Sequence, residues 1–66
     1  MSYGHVNVVT GETYSNELEE RFLEHRKVTS QENDMVRYEI VAGKRKGSTG
    51  VASRRGFWKW RRGVVS

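Results

Sequence analysis

Cysteine is absent from the 66 residues, which excludes disulfides and thiolate metal sites. The two histidines, His5 and His25, lie far apart and lack ligand spacing, so neither a zinc site nor any other cofactor is expected. No apolar run approaches the roughly 20 residues that a membrane-spanning helix requires. The N-terminal stretch has neither the basic flank nor the apolar core of a secretory signal. These absences predict a cytoplasmic protein with no membrane partner. Apolar residues are scarce as well, at 35% of the chain against roughly 45–50% in an average globular domain. A single small domain spanning residues 1–66 is then marginal by itself, with flexible termini and a flexible basic loop. A homodimer or a bound partner is an open route to further stability.

The last scarcity is directional: no acidic residue follows Glu39. Residues 1–40 hold all eight acids and four bases, a net charge of −4, whereas residues 41–66 hold eight bases and a net charge of +8. A basic segment without its own counter-charges attracts polyanions.

Local patterning predicts a small α+β domain of β-α-β-β order, with one helix packed on a two- or three-stranded antiparallel sheet. Tyr3–Val9 alternates weakly and is read as a strand, followed by a turn at Thr10-Gly11-Glu12. Tyr14–Val28 is read as the helix. Tyr14, Leu18 and Phe22 recur at helical spacing, with Leu23 widening the stripe. Asn16 is a candidate N-cap, with Thr13 as its competitor. Glu17, Glu19 and Glu20 precede His25, Arg26 and Lys27, the charge order a helix dipole favours. Thr29–Asp34 reads as a loop. Met35–Ala42 reads as a strand with Val36, Tyr38, Ile40 and Ala42 inward and Arg37 and Glu39 outward. A second strand is expected from Val51 through Trp60 to Arg61, closing an antiparallel hairpin over the loop Gly43–Gly50, with Gly56 as a bulge or break.

The chemistry concentrates in the basic half. Lys44, Arg45 and Lys46 form the core of the glycine-rich loop, where Ser48 and Thr49 add hydroxyl donors. The loop reads either as a flexible phosphate clamp or as a solvated hairpin tip. Arg54, Arg55, Trp58, Lys59, Trp60, Arg61 and Arg62 interleave cations with indoles. As a strand this segment would present Trp58 and Trp60 on one face and Phe57, Lys59 and Arg61 on the other. The tryptophans then either complete the core or stack on bases while the cations meet phosphates.

Signatures of catalysis are missing. There is no nucleophile elbow, no HExxH and no dinucleotide loop, and the loop is no Walker A because Gly47 is followed by Ser48 instead of lysine. Glu24 and His25 are neighbours in sequence and cannot form a dyad on a helix. Zinc-finger, RNP-type and KH signatures are also lacking. The expected function is a small non-catalytic nucleic-acid-binding protein that contacts DNA or RNA phosphates through its basic half, with the acidic helix facing away or binding a second protein. Its rival is a protein-binding regulator or inhibitor that docks the basic arm on an acidic surface of a larger enzyme. Alternating Arg and Trp also resemble cationic membrane peptides in composition, but the acidic half opposes that reading. Small size and sorted charge fit accessory proteins of phages or plasmids, a class reading that no motif carries.

Overall fold

The computed structural model describes residues 7–17 and 23–65. Its elements are β1 (Thr13–Ser15), β2 (Glu24–Glu32), β3 (Met35–Gly43), β4 (Thr49–Ser53), α1 (Arg54–Trp60) and β5 (Gly63–Val65). The strands form one antiparallel sheet in the order β4-β3-β2-β1-β5. Four strands thus form a meander, and α1 carries the chain back across so that β5 pairs with β1. The expected α+β composition holds, but the layout differs. The sheet has five strands instead of two or three, and the helix follows the fourth strand.

The helix expected over residues 14–28 is overturned by β1 and β2, which occupy its two ends. Tyr14 lies opposite Arg26 and Ser15 opposite His25 in the ladder. The turn out of β1 shows why helical propensity lost. The Glu17 N–H donates to Ser15 Oγ at 2.9 Å, and Glu17 takes a left-handed φ of 51°. The Glu24 N–H donates to Asn16 Oδ1 at 3.1 Å. The candidate cap therefore closes a strand ladder, the competition that short polar side chains offer to helices. Leu18 and Phe22 lie outside the described residues. So does most of the expected first strand, and residues 7–9 belong to no strand.

The turn at Thr10-Gly11 forms as expected, with Gly11 at φ 97°. Most of the segment read as the loop Thr29–Asp34 is instead strand, and only Asn33 and Asp34 turn between β2 and β3. Asn33 supplies the positive φ, 56°, which a short polar residue tolerates better than most. The strand read at Met35–Ala42 is present one residue longer, and its inward residues Val36, Tyr38 and Ile40 are buried while Arg37 and Glu39 are exposed. Ala42 is half-buried.

The strand expected to run through Trp60 stops at Ser53. The Ser53 side chain accepts the Gly56 N–H at 3.0 Å and caps α1. Gly56 is therefore an ordinary first-turn residue and marks no bulge. Helical geometry puts Phe57 and Trp60 on one side, because positions three apart stack, and separates Trp58 from Trp60. The expected shared face of the two tryptophans is lost.

Phe57 is completely buried and plugs the core formed by Val8, Tyr14, Val28, Val36, Tyr38 and Ile40. Tyr14 meets its ring edge-on at a centroid distance of 5.5 Å, and Tyr38 and Trp60 lie tilted at 5.6 and 5.4 Å. Such contacts add to area burial. Register shifts at His25/Arg26 and Val28/Ser30 interrupt the β2–β3 ladder. Irregularities of this kind bend and twist a sheet, which suits one that must wrap a single aromatic plug. The helix is tied at both ends. The Arg54 N–H donates to the Asp34 carbonyl at 2.6 Å, and the Arg62 N–H donates to the Ser15 carbonyl at 2.7 Å. It therefore runs from the β2–β3 turn towards the end of the sheet that carries the β3–β4 turn.

Candidate nucleic-acid interface

The residues expected to contact nucleic acid fall in two places. Lys44, Arg45 and Lys46 stand exposed at the β3–β4 turn. Arg54, Arg55, Trp58, Lys59 and Trp60 belong to α1, with Arg61 and Arg62 directly after it. Because α1 ends beside Ser15, and Ser15 lies level with His25 and Ala42 across the sheet, Arg62 and the turn share one end of the molecule. Arg55 lies at the other end, and Lys59 sits one helical turn along from it on the same side.

The turn is tighter than a flexible clamp. Gly43 and Gly47 adopt φ of 109° and 97°. The Lys46 N–H donates to the Gly43 carbonyl, Gly47 N–H to Ile40, and Ser48 N–H to Arg45, at 3.2, 2.8 and 3.0 Å. Those three donors are spent inside the turn, and what it holds out to a phosphate is its exposed lysine side chains.

Two of the expected cations have counter-charges, supplied by the acidic half. The Arg45 guanidinium donates from Nε and Nη2 to Glu24 Oε1 at 3.1 and 3.0 Å, and from Nη2 to Oε2 at 3.1 Å. Arg54 donates from Nε to Gln31 Oε1 at 3.1 Å and from Nη2 to the Asn33 carbonyl at 2.8 Å, with Asp34 Oδ1 3.6 Å from its Nη1. Arg45 thus braces the β3–β4 turn, and Arg54 braces the junction of α1 with the β2–β3 turn. The basic segment lacks acids in sequence but not in space. By contrast, Lys44, Lys46, Arg55, Lys59 and Arg62 are exposed and make no ion pair among the described residues. Besides Glu24 and Asp34, the carboxylate of Glu17 stands near this set, against Gly63.

Both tryptophans are half-buried and pack on the core. The Arg61 guanidinium lies 3.6 Å from the Trp58 ring centroid. The Arg26 guanidinium lies 4.0 Å from that of Trp60 and 4.5 Å from that of Tyr38. Arg26 Nε also donates to Glu24 Oε2. One nearly buried carboxylate therefore holds two arginines, one under the indole and one at the turn. Burial pushes the Glu24 carboxyl up, but hydrogen bonds from Arg26 and Arg45, aided by their charge, outweigh it and hold it below its ordinary value.

The sequence gives no sign of Glu24 and Arg26 as site-forming residues, because their segment has a helical pattern. A strand reading would have found them, since Arg26 then shares the inward face with Val28, two positions on. Among the described residues no three histidine, aspartate or glutamate side chains come together to hold a metal, and no helix is long and apolar enough to cross a membrane. No protein-family model, curated protein or solved structure matches this chain.

Proposed function

We propose that this chain is a nucleic-acid-binding module that grips the phosphate backbone without catalysis, through Lys44, Lys46, Arg55, Lys59 and Arg62. The observation that carries the reading is the division among the cations. Arg45, Arg54 and Arg26 are engaged by carboxylates or ring faces, while these five, like Lys27 and Arg37 on the sheet, are exposed and make no ion pair among the described residues. Leaving five like charges unpaired on a small domain costs self-repulsion that a polyanion relieves. Lysines at a tight turn and cations along one side of a helix suit phosphate contact, which fixes position and carries no base code.

The test is titration of the purified chain against labelled DNA and RNA over a series of salt concentrations. Five phosphate contacts on duplex DNA predict a slope of log affinity against log salt of about −4.5. Affinity that ignores salt, or no affinity at low salt, overturns the reading. Capture of an acidic protein by the same cations, with no affinity for nucleic acid, would put the regulator in its place.

A further inference from the structure

We infer that the nucleic acid this surface fits is a double helix and not a single strand; the inference rests on the phosphate-binding reading above. Sequence-tolerant recognition of single strands depends on aromatic rings with a free face, on which successive bases stack, set in a groove that tracks the backbone. The first feature is missing among the described residues. Tyr14, Tyr38 and Phe57 are core residues. Trp58 packs on the core and carries the Arg61 guanidinium at 3.6 Å; Trp60 also packs on the core and carries that of Arg26 at 4.0 Å. The indoles that looked like stacking platforms in the sequence are already stacked, by arginines of the same chain. A base entering here has to displace a guanidinium, and at Trp60 that guanidinium is also bonded to the nearly buried Glu24.

The cations are not arranged as a channel. Lys44 and Lys46 crown a projecting turn, and Arg55 and Lys59 line an exposed helix side that ends at Arg62. Two shallow depressions of the described surface lie on the outer sheet face, around Arg37, Thr49 and Val51. Charges projecting from a turn and a helix side at separated points meet a duplex, which presents phosphates on two strands at fixed positions. A flexible strand gains little from such a surface without bases to stack. The expected binding is sequence-independent, since phosphate contacts carry no base code.

The experiment uses the intact chain with three probes of equal length: duplex DNA, duplex RNA and a thymidine single strand. Affinity is measured at several salt concentrations, and tryptophan emission is followed on binding. The expected result is tighter binding to a duplex, a salt slope of about −0.9 per phosphate contact, and tryptophan emission that the single strand leaves unquenched. The two duplex arms distinguish DNA from RNA. Tighter binding to the single strand with quenched emission overturns the duplex inference but leaves the phosphate reading standing. Binding to none of the three overturns the phosphate reading itself. Trp58→Phe adds a variant that keeps the core packing. Unchanged affinity for the single strand supports the inference, whereas loss approaching the roughly 5- to 150-fold expected of a stacking tryptophan opposes it.

Discussion

The guanidinium of Arg26 lies 4.0 Å from the ring centroid of Trp60, joining the acidic half of the chain to the basic half through the edge of the core. A desolvated cation–π contact is worth about 2 kcal/mol, and here it also positions the partner of Glu24. Arg26→Ala is expected to lower the melting temperature and shift tryptophan emission to the red as Trp60 gains water. Arg26→Lys should recover only part of this, because an ammonium lacks the planar stacking surface. Thermal unfolding followed by fluorescence checks both, and a full rescue by lysine would show that charge alone matters.

Phe57 anchors α1 with no exposed surface. Phe57→Ala is expected to cost about 3–5 kcal/mol, a large share of the roughly 5–15 kcal/mol that holds a domain folded. Urea unfolding should show a much lower midpoint, or no folded baseline at all. An unchanged midpoint would mean that α1 does not seal the core.

Glu24 sets an acid limit. Its folded pKa lies below its ordinary value of 4.5, so the charged form is favoured by folding. Its contribution is complete above the ordinary value and is lost as pH falls through the depressed one. Melting temperature should therefore fall on acidification below about 4.5, and Glu24→Gln should remove part of that dependence while lowering stability at neutral pH. Equal acid dependence in parent and variant would remove Glu24 from the account.

The turn glycines separate strain from space. Gly43 and Gly47 both have positive φ, but a Cβ at Gly43 would also strike the backbone carbonyl of Leu23, whereas at Gly47 it meets nothing within 4 Å. Gly47→Ala should cost about 1–2 kcal/mol, the left-handed penalty alone. Gly43→Ala should cost clearly more in the same denaturation series, and equal losses would contradict the packing of Leu23 over the turn.

The cations should divide in mutagenesis as they do in space. Alanine at Lys44, Lys46, Arg55, Lys59 or Arg62 should each reduce the salt slope by about 0.9 with little loss of stability. Alanine at Arg45 or Arg54 should lower the melting temperature with a smaller change in slope. Salt titration paired with thermal melts checks this, and a uniform response across the seven would erase the distinction between bracing and binding arginines.

What the sequence by itself determined about this protein is what local pattern carries. Alternation placed Val36, Tyr38 and Ile40 inside β3 and Arg37 and Glu39 outside. The glycines marked the turn to an antiparallel β4, and Thr10-Gly11 marked another. The count of charges located the basic segment. Tertiary structure decided the rest. Tyr14 and Arg26 became ladder partners because strand pairing rewards residues distant in sequence, and no helical stripe records that reward. Arg54–Trp60 became a helix because Ser53 caps it and because Phe57 then fills the core against the sheet. Arg45 met Glu24, and Arg61 and Arg26 covered the indoles, only once the chain had folded back on itself. Charge and periodicity are properties of neighbours along the chain, whereas pairing, burial and neutralisation are properties of neighbours in space.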